Sequence, residues 1–355
     1  MSYQFLANKV QESAISKVDF NNLPFGKTYS DHMFVADYIN GQWTNLEIRP
    51  VAPILTHPGN MAWHYGQSIF EGMKATRDEA GHALLFRPEL HAVRMNKSAA
   101  RMCMPEIPED LFLQAVNTLV DMEKAWIPPQ AGSALYIRPF MYATDETIGV
   151  KASDTYKFII FVMPVGPYYT NPVKLFAQDK FVRAVVGGVG EAKTCGNYAA
   201  SLYPATMAKK NGYDQVMWLD GVHKKYIQEV GTMNIFFVIN GEVLTPNLDG
   251  AILDGITRKS MIELFKDKGY KVTERPITID EVLTAGKDGS LEEIFGTGTA
   301  AVIAPVSHLK YNDDVIELDM AKRQLSKWAY ATINGIRNRT VEDKFGWIVE
   351  AKSSH

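Results

Sequence analysis

The sequence has few cysteines, no long apolar run and no excess of charge of one sign. Only two of its 355 residues are cysteines, Cys103 and Cys195, which excludes a disulfide framework and indicates a reducing compartment such as the cytoplasm. The longest apolar stretch, residues 158–166, is far shorter than the roughly 20 residues that span a bilayer. We therefore expect neither disulfides nor a membrane-spanning helix.

The charged residues and the histidines point to no nucleic acid, membrane or metal partner. Lys plus Arg number 37 and Asp plus Glu 40, a formal net charge of −3, so nothing suggests a nucleic acid or a membrane surface as a ligand. The histidines lack the spacing and the cysteine or carboxylate neighbours of a zinc site. Internal repeats and low-complexity tracts are also lacking, which excludes solenoid and disordered classes.

The length favours two domains, because a single core rarely keeps growing at this size. Strand and helix patterns alternate along the chain, which predicts an α/β fold, described equally as α+β with two domains. Residues 164–172 hold three prolines and a glycine and form the best linker candidate. We therefore predict a small N-terminal α/β domain at 1–164, a linker at 165–173 and a larger C-terminal domain at 174–355.

Local patterns place the main elements of these domains. Asn-Gly pairs at 40–41 and 240–241 predict hairpins over residues 34–51 and 235–244, because Asn-Gly suits a type I′ turn. Helices are predicted after Pro88 and Pro108, after a capping box at Thr278, and over 320–336. Further strands are predicted at 84–86, 135–142, 158–163, 181–186, 216–219 and 293–295.

Residues 181–212 are the densest candidate for chemistry, since a predicted strand leads into a glycine-rich loop with Lys193 and then a helix. Two interpretations compete. A phosphate-binding P-loop requires a glycine immediately before the lysine, and Ala192 stands there. Nucleotide binding is therefore a remote alternative to a lysine that forms a Schiff base with pyridoxal phosphate.

A pyridoxal phosphate enzyme also needs a carboxylate for the pyridine nitrogen and an anion site for the phosphate. Glu229 is an acid within an otherwise apolar predicted strand, and Gly255 precedes a helix whose first amides favour phosphate. The turn at 296–301 could add amides and a hydroxyl. Each feature alone also fits a salt-bridged strand, a capped helix or a plain turn.

Eight segments together resemble branched-chain amino acid aminotransferases, which are fold type IV pyridoxal phosphate enzymes. The C-terminal half contributes GGVGEAKTCGNYAAS, QEVGTMNIFFV, LDGITRKSM and EIFGTGTAAVIAPV. The N-terminal half contributes NNLPFGKTYSDHMF, WHYGQSIFEGMKA, LFRPELHAVRMNKSAARM and ALYIRPFMYATDETIGV. The resemblance runs from about residue 21 to about residue 347, and the order of the motifs makes it specific.

This resemblance implies a role for each matching residue. Lys193 would bind the cofactor and carry the proton, Tyr198 would bind the cofactor's phenolic oxygen, and Glu229 would hold its ring nitrogen protonated. Further cofactor positions are Arg94, Ile256, Thr257 and Thr299 at the phosphate and Thr232 by the ring, with Arg183 nearby. The implied substrate residues are Phe25, Tyr65, Phe70, Tyr136, Arg138, Thr299 and Ala300.

The implied reaction moves the amino group of L-leucine, L-isoleucine or L-valine to 2-oxoglutarate, giving glutamate. The resemblance also implies a homodimer in which Tyr65 and Arg138 reach the partner's site. D-amino acid aminotransferases and aminodeoxychorismate lyases share this fold type and are alternatives, as is a binding protein without turnover.

Overall fold

The chain forms two compact units. The computed structural model describes residues 3–169 and 171–353, so Thr170 of the predicted linker lies outside the described residues. Unit 1 takes its described residues from Met1–Tyr168, Ala192–Cys195 and Asn334–His355, and unit 2 from Tyr169–Glu191 and Gly196–Ile333. Two segments expected in the C-terminal domain therefore belong to unit 1. Thr194 forms a bridge to Ile69, and a late strand pairs with residues 84–86.

Unit 1 is built around a mixed sheet. Its helices are α1 (Met61–Tyr65), α2 (Pro88–Arg101) and α3 (Glu109–Met122). Its strands are β1 (Leu6–Ala7), β2 (His32–Ile39), β3 (Gln42–Pro50), β4 (Ser68–Phe70), β5 (Met73–Arg77), β6 (Ala83–Phe86), β7 (Ala134–Ala143), β8 (Tyr156–Val165) and β18 (Ile348–Glu350). Their order is β1-β3-β2-β8-β7-β5-β6-β18, with β4 paired to β7.

The core of unit 1 lies where α2 and α3 contact the sheet. Leu111, Val116 and Leu119 follow one face of α3 at helical spacing and are completely buried. They share a cluster with Phe34 of β2 and Phe158 of β8. Met95 of α2 belongs to the same cluster, so this packing fixes the position of α2, which carries the predicted site residue Arg94.

Unit 2 contains a second mixed sheet. Its strands are β9 (Val173–Gln178), β10 (Gln215–Leu219), β11 (Ile227–Val230), β12 (Asn234–Ile239), β13 (Glu242–Thr245), β14 (Val272–Glu274), β15 (Leu291–Gly298), β16 (Val302–Tyr311) and β17 (Asp314–Glu317). They follow the order β11-β10-β9-β16-β15-β12-β13-β14, with β17 on β16. The helices are α4 (Cys195–Lys210), α5 (Ile256–Asp267), α6 (Ile279–Asp288) and α7 (Leu325–Arg337).

Both predicted hairpins are confirmed, and so is the capping of α6. Asn40 and Gly41 have φ angles of 52° and 79°, and Asn240 and Gly241 have 52° and 72°, as a type I′ turn requires. The Thr278 hydroxyl accepts the Glu281 N–H at 3.1 Å. These local signals were sufficient because each turn or cap is specified within four residues.

The strand predicted at 181–186 is wrong, and the last helix starts later than predicted. The strand in this part of the chain is β9, which ends at Gln178. There the Gln178 side chain accepts the backbone N–H groups of Lys180 and Phe181 and ends the strand. Helix α7 begins at Leu325 rather than at 320. Its start is fixed by Glu293 of β15, whose carboxylate accepts the N–H groups of residues 324–326.

Candidate active site

Lys193 is held from two sides within unit 1. Its carbonyl accepts the Phe70 N–H at 3.0 Å, and its own N–H donates to Ser98 Oγ of α2 at 2.9 Å. The neighbouring Thr194 hydroxyl donates to Ser68 O at 2.8 Å. The Lys193 amine lies 4.9 Å from the centre of the Phe70 ring. The backbone of the lysine is therefore fixed between β4 and α2.

Arg94 lies on the same face of α2 as Ser98 and is paired with a buried acid. Its Nε donates to Glu71 Oε1 at 2.7 Å and its Nη2 to Oε2 at 2.8 Å. Glu71 follows Phe70 directly and is 0% exposed. His91, one turn earlier on α2, places Nδ1 2.7 Å from Glu71 Oε2. The acid thus binds two side chains of one helix.

The protonation states in this group follow from its surroundings. Burial opposes ionisation of Glu71, but the charge of Arg94 and the hydrogen bonds from Arg94 and His91 outweigh it and hold the pKa of Glu71 well below its usual range. Burial lowers the pKa of His91. Glu71 raises it, but the charges of Arg94 and Lys193 add to the effect of burial, and the pKa stays below its usual value. At neutral pH a neutral His91 therefore donates from Nδ1 to an ionised Glu71.

Four predicted substrate residues come together near Phe70. The guanidinium carbon of Arg138 lies 4.5 Å from the Phe70 ring centre, and its Nη2 donates to the Tyr136 hydroxyl at 3.1 Å. The Phe25 ring meets the Tyr136 ring edge to face at 5.1 Å. Gly72 allows this arrangement, because an added Cβ would lie 2.2 Å from the Tyr136 hydroxyl oxygen.

The remaining substrate position of unit 1 is Tyr65. Tyr65 ends α1, is 39% exposed and has its ring 6.2 Å from that of His64. Arg138 lies over the same Phe70 ring that the Lys193 amine of this chain approaches. The pairing of β4 with β7 causes this, since it brings Phe70 opposite Phe140, two residues from Arg138.

In unit 2, Glu229 is a buried acid on the edge strand β11. Its Oε1 accepts the Leu253 N–H at 2.8 Å, and its Oε2 lies 3.2 Å from Arg183 Nε. Arg183 also donates to Gly190 O and Ala251 O. The buried carboxylate is therefore paired with both a guanidinium group and a backbone amide.

The start of α5 lies close to the loop that binds Glu229. Gly255 precedes the helix and supplies no side-chain cap, so the first amides, at Ile256 and Thr257, are not bound by a capping side chain. A Cβ on Gly255 would lie 1.9 Å from Asn234 Oδ1. Both Ile256 and Thr257 are 4% exposed, which places these amides in a buried setting.

The other predicted residues of unit 2 occupy turns and a helix start. Thr299 and Ala300 are half-buried between β15 and β16, and Tyr198 is half-buried in the first turn of α4. Thr232 is exposed between β11 and β12. Thr297, two residues before Thr299, is 1% exposed and its hydroxyl has no hydrogen-bond partner in the described residues.

The chemistry of these groups fits pyridoxal phosphate. Unit 1 holds an amine and a guanidinium, and unit 2 holds a buried carboxylate, helix-start amides and hydroxyls. Each of these groups is of a kind that can bind the aldehyde, the phosphate or the pyridine nitrogen of this cofactor. The buried Thr297 hydroxyl, which has no partner within residues 3–169 and 171–353, and the Gly255 position, which admits no side chain, also fit a phosphate-binding turn.

Comparison with known proteins identifies the family. Residues 68–309 match the family model described as amino-transferase class IV. The Bacillus subtilis (strain 168) protein "Branched-chain-amino-acid aminotransferase 2" is 49% identical over 99% of this chain and 98% of its own. A second protein of the same organism, "Branched-chain-amino-acid transaminase 1", is 50% identical over 94% of this chain and 96% of its own. The chain belongs to the class IV aminotransferases. Its place is in their branched-chain group.

Solved structures agree with this assignment of the fold. The Thermoproteus uzoniensis branched-chain aminotransferase with norvaline is 24% identical, with a TM-score of 0.75 over 90% of this chain and 100% of its own. The Thermobaculum terrenum branched-chain amino acid aminotransferase in PLP-form is 22% identical, with a TM-score of 0.71 over 92% of this chain and 100% of its own. Class IV aminotransferases depend on pyridoxal phosphate. The nucleotide-binding alternative is therefore set aside.

Sequence reasoning missed Glu71, the partner of Arg94, and gave no role to His91 or Ser98. One signal could have found them. His91, Arg94 and Ser98 recur at spacings of three and four residues and so share one helical face, and Glu71 is an acid between apolar strand residues.

The helices of residues 3–169 and 171–353 give no sign of a membrane-spanning segment. In the described residues no helix is long and apolar enough to cross a membrane.

Proposed function

We propose that this aminotransferase moves the amino group of L-leucine, L-isoleucine or L-valine to 2-oxoglutarate, forming glutamate, with pyridoxal 5'-phosphate as its cofactor. The observation that carries the proposal is the fixed position of Lys193 beside Phe70, in a chain whose full-length relatives are branched-chain aminotransferases. The aromatic group around Phe70 supports apolar substrates.

Residues of each unit have a proposed role toward the cofactor. In unit 1, Arg94 would bind the phosphate as a charged donor, while its Nε and Nη2 contact Glu71. In unit 2, Ile256, Thr257 and Thr299 would bind the phosphate, Glu229 would keep the pyridine nitrogen protonated, and Tyr198 and Thr232 would contact the ring. When bound, the cofactor supplies an electron sink for the bond that breaks at the substrate α-carbon.

Lys193 is the proposed base and acid of the transfer. Its Nζ, in the neutral form, would take the proton from the substrate α-carbon and return a proton to the cofactor. The hydrogen bonds of its own peptide to Phe70 and Ser98 fix the backbone from which the side chain extends. Such a fixed base lowers the entropy cost of reaching the transition state.

The substrate residues suggest how two unlike side chains share one site. Phe25, Phe70 and Tyr136 offer apolar area to leucine, isoleucine and valine, while Thr299 and Ala300 would bind the α-carboxylate. Glutamate brings a second carboxylate and needs a cation. Arg138, stacked on Phe70 and hydrogen-bonded to Tyr136, is placed to meet it.

We further propose a homodimer in the cytoplasm. An open cavity of about 600 Å³ in unit 1 is lined mainly by apolar residues, including Met33, Ile54, Trp63 and Phe161. Trp63 is 64% exposed and the nearby Leu55 is 100% exposed, which is typical of a face that binds another protein. Tyr65, also on α1, would reach the partner's substrate site. The free cysteines Cys103 and Cys195 support a reducing compartment.

An absorbance spectrum tests the proposed reaction. We expect a visible band from the purified protein with pyridoxal phosphate, bleached by L-leucine and restored by 2-oxoglutarate. Lys193→Ala should abolish the band, whereas Glu229→Gln should keep binding and slow the bleaching. D-alanine and aminodeoxychorismate, added separately, test the two alternatives. Absence of any band in the wild-type protein would refute the role of Lys193.

A further inference from the structure

We propose that Glu71 is a positioning residue for the cofactor phosphate, acting through Arg94. This inference rests on the proposed role of Arg94 as a phosphate ligand. It assigns a function to a carboxylate that the transfer chemistry does not use. Glu71 would set the direction of the Arg94 guanidinium before the cofactor arrives.

The geometry between the two side chains carries the argument. Arg94 uses Nε and Nη2 for a two-pronged contact of 2.7 and 2.8 Å with both oxygens of Glu71. A planar guanidinium held along one edge has a fixed plane, so the direction of its Nη1 is fixed as well. Glu71 is 0% exposed and Arg94 is 7% exposed, so water cannot replace either partner easily.

Glu71 is itself held in place by groups other than Arg94. Its Oε2 receives the His91 Nδ1 hydrogen bond at 2.7 Å, and its N–H donates to Pro139 O of β7 at 2.8 Å. The Gly72 N–H donates to Oε2 at 3.2 Å. The carboxylate therefore has a fixed position from which it can orient Arg94.

The same contacts connect Arg94 with the lysine. Phe70, which binds the Lys193 carbonyl, is bonded directly to Glu71 in the chain. Ser98, which binds the Lys193 N–H, lies one turn from Arg94 on α2. Glu71 thus connects β4 and α2, the strand and the helix that hold the Lys193 backbone. The Arg94 guanidinium and the Lys193 backbone are therefore held in fixed positions relative to each other.

The test compares pyridoxal phosphate with pyridoxal, which lacks the phosphate. Spectral titration gives the affinity of each ligand for the wild type, Glu71→Gln, Arg94→Gln and the double variant. We expect Glu71→Gln to weaken pyridoxal phosphate about tenfold while changing pyridoxal by less than about twofold. The double variant should bind pyridoxal phosphate no more weakly than Arg94→Gln alone, because Glu71 acts through Arg94.

Three other outcomes each overturn the proposal. Equal weakening of both ligands by Glu71→Gln would mean a general structural role, and tighter binding of pyridoxal phosphate would mean that Glu71 only offsets charge. If Arg94→Gln keeps the wild-type preference for the phosphorylated ligand, the role of Arg94 fails too, even when the visible band confirms Lys193. If Glu71→Gln does not fold, His91→Ala undergoes the same comparison, with a selective loss expected and equal weakening contradicting it.

Discussion

Arg138 has two kinds of partner already in place around its guanidinium group. It lies over the Phe70 ring, and its Nη2 donates to the Tyr136 hydroxyl. An apolar substrate leaves these contacts undisturbed, whereas a substrate with a distal carboxylate offers a stronger, charged acceptor. Under the proposed function, Arg138 would thus serve both halves of an amino transfer between leucine and 2-oxoglutarate.

Replacing Arg138 should separate the two substrates. We expect Arg138→Gln to raise the KM for 2-oxoglutarate by about tenfold or more, because a charged hydrogen bond is lost, and to change the KM for leucine by less than about threefold. Steady-state kinetics with each substrate varied in turn measures this. Arg101→Gln, at the exposed end of α2, is the control and should change neither value. An equal rise for both substrates would contradict the assignment.

Some functional residues could be predicted from the sequence and others could not. Lys193 and Glu229 stood out because a lysine in a glycine-rich loop and an acid in an apolar strand are unusual in themselves. Glu71 was not noticed, although a guanidinium and an imidazole of α2 both bind its carboxylate. The role of Glu71 depends on the packing of α2 against it in the folded chain. Because α2 follows Glu71 by about twenty residues, no local pattern around Glu71 predicts this packing.

At the scale of elements, local signals predicted the hairpins and most helices, and failed where a distant side chain sets a boundary. The apolar, β-branched residues at 181–186 favoured a strand, yet Arg183 binds carbonyl groups at Gly190 and Ala251 and holds the segment as a loop. Helix α7 was predicted at the right place in the chain but five residues too early. Tertiary contacts decided both cases.

Helix α7 depends on a cap from another strand. Both oxygens of Glu293, which is 6% exposed, accept N–H groups of residues 324–326 at 2.7 to 3.0 Å. We expect Glu293→Gln to lower the free energy of unfolding by about 1–3 kcal/mol, because three amides, two of them buried, then share one neutral oxygen. Urea unfolding followed by circular dichroism measures it. Glu342→Gln, at an exposed position, is the control, and equal stability of the two variants would argue against the cap.

For the whole molecule, the exposed apolar face of unit 1 predicts how the chain assembles. We expect sedimentation to give about twice the 39.7 kDa of one chain. Trp63→Glu should shift the protein toward the monomer, because burying a charge in an apolar interface is unfavourable. Val222→Glu, at a 77% exposed position of unit 2, should leave the dimer intact. A monomeric wild type that is fully active would exclude this assembly.

The path of the chain has a consequence for the order in which the protein can fold during synthesis. Unit 1 takes residues from the first half of the chain, from 192–195 and from the last twenty. Until β18 emerges from the ribosome, β6 has an unpaired edge, and until residue 194 emerges, β4 lacks its bridge to Thr194. The N-terminal unit is therefore the last to be completed, and a nascent chain must carry that open sheet edge through most of translation.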